Sequence, residues 1–227
     1  MSIYAIGDLH LSLDADKEMN IFAGWQDYVP RLEENWRRLI KPEDTVILAG
    51  DISWALKIED AEKDFRFLEN LPGEKYLMKG NHDYWWTTVS RMQRFLDIWG
   101  LKRIHFLHNN AVAVGDAALC GSRGWMFEEG DHPDGTITAR EAGRIRRSLE
   151  AAPPEAEKIL FLHYPPIFGQ QVIPEFFDLM KEFGVKQCFY GHLHGSAIPM
   201  AFQGEFFGTD CRLISADYLK FCPIKIR

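Results

Sequence analysis

The most constraining feature of this sequence is a repeated pattern in which a short apolar, β-rich run ends in glycine and a possible metal ligand follows. The four places are Gly7-Asp8, Gly50-Asp51, Gly80-Asn81 and Gly191-His192. A fifth apolar run, 158–162, ends directly in His163. Glycine allows a sharp turn at a strand end, and ligands of open α/β sheets bind at the carboxyl ends of the strands. The pattern predicts an α/β fold that gathers acidic, amide and imidazole side chains at one edge.

The rest of the chain supports this class. Strand-like and helical segments alternate in the first half, which predicts parallel strands with crossover helices, and the strand-dense second half predicts hairpins. The predicted strands are 2–7, 45–49, 75–79, 104–107, 111–114, 117–120, 158–162, 187–190, 198–201, 205–207 and 212–215. Apolar residues at helical spacing predict helices around 32–40, 58–68, 89–99 and 173–183. We expect a single domain over 1–227, with a lid or excursion around 122–150.

Composition excludes several classes of protein. A net charge of −7 disfavours nucleic acid as a partner, because phosphate contacts need clustered Lys and Arg. No apolar run approaches the roughly 18 residues of a membrane span, and the first residues are typical of a core strand and not of a signal peptide. The four cysteines form no CxxC pair and lie mostly in apolar runs. Buried free thiols are therefore favoured over disulfides, which indicates a cytoplasmic location.

The predicted cluster has the composition of a metal centre. It contains five of the eight histidines together with two Asp and one Asn. Burying so many polar groups without partners is costly, and metal ions remove that cost. Imidazole and carboxylate donors suit zinc, iron, manganese or nickel. One Gly-Asp or one His-x-His alone is weak evidence, whereas all five strand ends together point to two divalent ions.

At these residues the chain resembles a known family. The ordered motifs Asp8-x-His10, Gly50-Asp51, Gly80-Asn81-His82-Asp83, His163 and Gly191-His192-x-His194 match the signature of the calcineurin-like metallophosphoesterases. The resemblance spans residues 8–194 and implies a four-layer α/β/β/α fold, in which two mixed β-sheets pack as a sandwich flanked by helices. It places the chain among small bacterial-type members.

The resemblance also implies roles for individual residues. The first metal would be held by Asp8, His10 and His194, the second by Asn81, His163 and His192, with Asp51 bridging both. His82 would be the catalytic histidine, oriented by Asp83. The context of His163, Leu-His-Tyr-Pro-Pro, is the least specific of these matches.

The implied activity is hydrolysis of a phosphomonoester or phosphodiester by a hydroxide shared between two divalent ions, Mn, Fe, Zn or Ni. His82 would protonate the leaving alkoxide or stabilise its charge. The protein Ser/Thr phosphatases are disfavoured, because the run 50–55 lacks their second Asp and their Arg. A small phosphorylated substrate is thus the expected partner. A nuclease of the same fold, or a binding scaffold that has lost catalysis, is the alternative.

Candidate substrate contacts lie beside the motifs. They are Trp54, Tyr84, Trp85, Arg123 and Trp125, with Trp86 next to them. The rings either cover a leaving group or cap the edge of the sheet. The arginines 140, 144 and 147 share a helical face, which is either a solvated face with Glu141 and Glu150 or part of a lid. The run that contains Asp131, His132 and Asp134 is more typical of a polar turn than of a third metal site.

Overall fold

The structure is a computed structural model that describes residues 1–15, 17, 19–126 and 135–227. In chain order its elements are β1 (Ile3–Ile6), α1 (Tyr28–Leu39), β2 (Thr45–Leu48), α2 (Glu62–Asn70), β3 (Glu74–Leu77), α3 (Val89–Trp99), β4 (Ile104–Phe106), β5 (Asn110–Val114), β6 (Ala117–Ser122), α4 (Gly135–Glu150), β7 (Glu157–Leu162), β8 (Ile167–Phe168), β9 (Gln171–Val172), α5 (Pro174–Glu182), β10 (Gln187–Tyr190), β11 (Gly204–Phe206), β12 (Thr209–Leu213) and β13 (Ile224–Lys225). Short 3₁₀ helices lie at Ile58–Ala61 and Gly195–Met200.

The chain divides into two compact units, of which the first comprises Met1–Phe106 and Ile214–Arg227. Its five-stranded sheet has the order β13-β1-β2-β3-β4. Strands β1 to β4 are parallel because helical segments return the chain between them, and β13 adds an antiparallel edge. Every residue of β1 and β2 is buried. The carboxyl ends of these parallel strands position the first group of candidate ligands.

The helices of the first unit each bury one apolar stripe. The buried positions include Leu32 and Trp36 of α1, Phe65 and Leu68 of α2, and Met92 and Leu96 of α3. The indole N–H of Trp36 donates to the carbonyl of Pro72 at 2.9 Å, so its polar atom is satisfied within the core. These residues share one hydrophobic core with the strands. The apolar stripes of α1, α2 and α3 thus pack in the core, as their helical spacing predicts.

The second unit comprises Leu107–Leu213. Its six-stranded sheet has the order β11-β12-β10-β7-β6-β5, and β8 and β9 form a separate hairpin. The four inner strands are parallel, whereas β11 and β5 at the edges are antiparallel to their neighbours. Helices α4 and α5 contribute buried side chains to the core of this unit, among them Ile145, Leu149 and Phe176.

Two mixed sheets with flanking helices confirm the predicted mixed α/β class. The predicted strands and helices are found with shifted ends, except that residues 198–200 of the predicted strand 198–201 lie in the 3₁₀ helix Gly195–Met200. Pro199 explains this error, because proline has no N–H to donate to a strand ladder. The sequence interpretation also missed the short strands β8, β9 and β13. The single-domain expectation and the sandwich packing stay predictions.

The predicted excursion at 122–150 is only partly described. Residues 127–134, with Asp131, His132 and Asp134, lie outside the described residues. Residues 135–150 form helix α4, which buries Thr138 and Ile145 and belongs to the core of its unit. None of the described helices is both long and apolar enough to cross a membrane. All four cysteines are free thiols, three of them buried.

Candidate active site

The loops after β1 and β2 run side by side and carry three of the predicted ligands. The main-chain N–H of Asp8 donates to the Gly50 carbonyl, and that of His10 to the Asp51 carbonyl, both at 2.9 Å. Asp8, His10 and Asp51 are buried, and their φ angles of 57°, 47° and 51° are left-handed. Non-glycine residues seldom adopt this conformation, which persists where the surroundings enforce it and concentrates at functional sites. The two loops therefore hold these side chains in a strained, fixed arrangement.

The polar atoms of these side chains lie close together. Carboxylate oxygens of Asp8 and Asp51 lie within 4.8 Å of one another. The Nε2 atom of His10 is 3.8 Å from Oδ2 of Asp51, and the main-chain N–H of His82 donates to Oδ1 of Asp51 at 2.8 Å. Two buried carboxylates at this distance repel one another unless a cation neutralises them. The donor set of this unit therefore fits a divalent cation, and Asn81 follows in the adjoining loop.

Gly80 is required by its approach to Asp51. A Cβ atom at this position would lie 2.0 Å from Oδ1 and 2.3 Å from the main-chain N of Asp51. The sequence interpretation assigned the motif glycines to sharp turns, which holds at Gly50 with its φ of 90°. Glycine is required at position 80 for a different reason, because any side chain there would displace Asp51.

The buried carboxylate of Asp83 joins the loop after β2 to the loop after β3 through hydrogen bonds. It accepts hydrogen bonds from the main-chain N–H groups of Asp51, Ile52, Ser53 and Gly80 and from the indole N–H of Trp85, at 2.8–3.3 Å. Burial, followed by the charge of Asp51, raises the pKa of Asp83 above its usual range, while the main-chain hydrogen bonds oppose the rise. These contacts give Asp83 a role in fixing the Asp51 loop, beyond the predicted orientation of His82.

The ring of His82 lies among aromatic rings and lines a cavity of about 500 Å³. Its centroid is 4.7 Å from that of Trp54 and 6.1 Å from that of Tyr84. Trp54 also stacks on His10, with centroids 4.9 Å apart and an interplanar angle of 21°. Trp54 is half-buried and Tyr84 is exposed. The predicted catalytic histidine thus borders open space with two of the predicted substrate contacts.

Trp85 lies within the core of the first unit. The side chain is fully buried, packs edge-on against Phe65 at 5.0 Å, and donates to Asp83. Trp86 is also buried and packs edge-on against Phe106. The burial of both rings favours the alternative that they support the edge of the sheet, and a substrate contact of Trp85 stays a prediction.

Asp64 is a buried carboxylate that the sequence reasoning missed. From helix α2 it accepts hydrogen bonds from the Ser53 hydroxyl at 2.5 Å and from the Leu13 N–H at 2.9 Å. Burial raises its pKa above the usual range. Asp64 thereby ties the loop after β1 to the loop after β2. Its sequence signal was an acidic residue within the apolar stripe that contains Ala61 and Leu68.

In the second unit, His163 and His192 follow the neighbouring parallel strands β7 and β10. Their ring centroids are 5.2 Å apart, and the Gly191 N–H donates to the His163 carbonyl at 3.1 Å. His163 is fully buried, and half-buried His192 has a left-handed φ of 71°. His194 follows in the same loop. The in-register pairing of β7 with β10 explains why these imidazoles gather at one strand end.

Arg123 and Trp125 lie beside these histidines. The Arg123 carbonyl accepts hydrogen bonds from the N–H groups of His163 and Tyr164, at 3.1 and 2.9 Å. The Arg123 guanidinium lies over the rings of Trp125 and Tyr164, at 5.4 and 5.7 Å from their centroids. The ring of Tyr164 is 4.5 Å from that of His192. Tyr164 thus lies in the candidate site as well, and its sequence signal was its place directly after His163.

The arginines of α4 are partly engaged on their own helix. Arg144 Nη1 pairs with Oε1 of Glu141 at 2.5 Å, and Arg140 Nε lies 3.7 Å from the same oxygen. Glu141 is fully buried, which corrects its assignment to a solvated face. Arg147 is exposed. A lid role for these arginines stays a prediction.

Comparison with known proteins identifies the family. The sequence profile of the calcineurin-like phosphoesterases matches residues 1–196. No curated protein sequence matches the chain.

Solved structures resemble the chain in fold. A phosphopantetheinyl hydrolase from Mycobacterium tuberculosis has a TM-score of 0.60 and 14% identity, with 99% of this chain and 95% of that chain covered. A protein of unknown function from Aquifex aeolicus has a TM-score of 0.55 and 16% identity over the same shares. A protein from Thermus thermophilus has a TM-score of 0.54 and 14% identity, covering 85% of this chain and 81% of that chain.

Proposed function

The chain belongs to the calcineurin-like phosphoesterase family, and from this premise we propose that it hydrolyses a phosphomonoester or a phosphodiester of a small molecule in a metal-dependent reaction. One observation carries the proposal. The buried carboxylates of Asp8 and Asp51 lie together, beside His10 and next to the main chain of His82, at the carboxyl ends of parallel strands. Such an arrangement is unfavourable without a cation and suited to holding one.

The proposed ligands are the residues that match the family motifs. They are Asp8, His10, Asp51 and Asn81 in the first unit and His163, His192 and His194 in the second. Imidazole and carboxylate donors suit Mn, Fe, Zn or Ni. Two such divalent ions, when bound, lower the pKa of water enough for attack on phosphorus and neutralise phosphate oxygens.

The chain's own groups perform the remaining steps. The bond from phosphorus to the leaving oxygen breaks, and His82 donates the proton that this oxygen needs to depart as an alcohol. His82 suits this role because it is half-buried and lines an accessible cavity. Asp83 and Gly80 fix the loop that carries Asp51. In the second unit, Arg123 offers a guanidinium that can bind a phosphate oxygen.

The test is a panel of aryl monoesters and bis-aryl diesters, assayed with the metal-free protein and each of the four metals. We expect hydrolysis only with metal, and a His82→Ala variant that loses about 10²–10⁴ in kcat while its bound metal is unchanged. His105→Ala is the matched control, because His105 lies in the middle of β4 and pairs with Glu74 at the amino-terminal end of β3, away from the carboxyl ends of the strands. An absence of hydrolysis on every ester with every metal would overturn the proposal.

The same panel separates the alternatives. Cleavage of a DNA or RNA strand would indicate a nuclease, and metal binding without turnover would indicate a binding scaffold. A phosphopantetheinyl ester joins the panel because one structural neighbour carries that activity in its name. At 14% identity the likeness extends only to the fold. The cytoplasmic location indicated by the free thiols stays a prediction.

A further inference from the structure

The cavity beside His82 is placed to receive the leaving group of a substrate. It measures about 500 Å³ and belongs entirely to the first unit. His82 lines this cavity, and His82 is the group proposed to protonate the leaving oxygen. An alcohol that departs within reach of His82 would therefore have its carbon skeleton in this space.

The walls of the cavity are largely apolar. They include Trp54, Tyr84, Ala55 and Leu56, of which Leu56 is 69% and Tyr84 58% exposed. Exposed large apolar side chains around a concave site favour binding of an apolar ligand, because burial of each one removes apolar surface from water. Tyr84 packs edge-on against His82, at 80° and with ring centroids 6.1 Å apart, and both rings border the cavity, where an aromatic ligand can pack against them.

A face of Trp54 is reachable from the cavity. The ammonium group of Lys17 lies 3.0 Å from the centroid of the Trp54 ring, and both residues line the space. Lys17 is exposed, so a ligand ring that stacks on Trp54 needs only the rotation of a flexible side chain. The indole N–H of Trp54 donates to the sulfur of Met19 at 3.2 Å, which fixes the orientation of the ring.

Asp60 is the charged group of the cavity that works against an anionic leaving group. The carboxylates of Asp14 and Asp60 line the cavity together with Lys17, and the Asp14 carboxylate is already paired with Lys63. A carboxylate or a further phosphate placed near Asp60 would be repelled by it, whereas an uncharged ring would not.

We propose that this cavity is the leaving-group subsite and that the substrate is a phosphoester of an uncharged aromatic or apolar alcohol. The inference rests on the proposed function for its hydrolytic part. Leu56 and Tyr84 are then residues that determine specificity, and Asp60 discriminates against anionic leaving groups.

The test compares ethyl, benzyl and 4-carboxybenzyl phosphate, whose alcohols have similar acidity, so differences in rate report binding of the leaving group. We expect kcat/KM for benzyl phosphate to exceed that for ethyl phosphate by about tenfold or more. Leu56→Ala and Tyr84→Ala should reduce this ratio several-fold. Ile98→Ala, an equally exposed apolar residue on α3, should leave it unchanged. Asp60→Asn should raise kcat/KM for the 4-carboxybenzyl ester alone.

A binding measurement makes the inference independent of turnover. Saturation-transfer NMR with benzyl alcohol should show contact with the wild-type protein and with Ile98→Ala, and a weaker signal with Tyr84→Ala. If no ester is hydrolysed but benzyl alcohol binds in this pattern, the proposed hydrolysis is wrong, whereas the assignment of the cavity as a binding site for an aromatic alcohol is supported. Hydrolysis with the same benzyl-to-ethyl ratio in wild type, Leu56→Ala and Tyr84→Ala overturns the subsite, and so does an absence of benzyl alcohol binding.

Discussion

Replacing Gly80 with alanine should disable the site through one methyl group. The added Cβ would lie 2.0 Å from Oδ1 of Asp51, where real contacts are essentially never under 3.0 Å, so the aspartate must withdraw by about 1 Å. It cannot do so easily, because the Asp83 carboxylate holds the main chain of Asp51 at 2.8 Å. A misplacement of about 1 Å can cost roughly 100-fold in rate, and overpacking of this kind costs about 1–3 kcal/mol of stability.

The assay measures metal content after purification, kcat/KM on an aryl phosphate and thermal unfolding in parallel. Gly143→Ala is the matched control, since a Cβ at this helical position of α4 meets nothing within 4 Å. That control should keep full activity and gain about 0.5–1 kcal/mol from better helix propensity. A Gly80→Ala protein with the same metal content and the same kcat/KM as Gly143→Ala would refute the argument that a Cβ atom at position 80 displaces Asp51.

Three further substitutions test the supports of the site and a buried charge. Trp85→Phe puts a smaller ring in place of the fully buried indole and removes the N–H donated to the Asp83 carboxylate, so the free energy of unfolding should fall by at least about 1.5–3 kcal/mol in urea denaturation. An unchanged midpoint would mean that this hydrogen bond contributes nothing. Ser53→Ala leaves one oxygen of buried Asp64 without its hydroxyl donor and should cost about 1–3 kcal/mol; equal stability of variant and wild type would contradict this. Lys75 is buried, and desolvation lowers its pKa to about 8 from 10.5. The unfolded chain then binds more protons between these values, so stability should rise with pH from about 8 to 10.5. Lys75→Met should lack that rise when the denaturant midpoints at pH 8 and pH 10.5 are compared. The same pH dependence in the variant and the wild type would refute the assignment of this rise to Lys75.

The sequence predicted the elements of the fold well because local patterns specify them. The alternation of strands with amphipathic helices corresponds to the parallel order β1-β2-β3-β4 of the first unit, since a crossover helix leaves few other topologies. The apolar stripes gave the buried faces of α1, α2 and α3. Very short elements such as β8 and β13 escaped prediction, because two residues carry no periodicity.

The motif residues of the site were also readable in the sequence, but their neighbours were not. Gly-Asp and Gly-Asn-His-Asp are local patterns, and their position at strand ends follows from the strands themselves. The hydrogen bonds from Ser53 to Asp64 and from Ile52 to Asp83 join residues 11 and 31 positions apart. No local sequence pattern predicts hydrogen bonds between residues so far apart in the chain.

What the sequence by itself determined is thus the class of the fold, the order of the motifs and the residue types available for metal and proton chemistry. Only the tertiary structure decided that Trp85 is buried while Tyr84, its neighbour, is exposed. It also decided that Gly80 is required for space and that Asp8, His10 and Asp51 adopt left-handed conformations. The physical reason is that residue type and spacing act locally, whereas burial, close approach and strain depend on which distant segments pack against each residue.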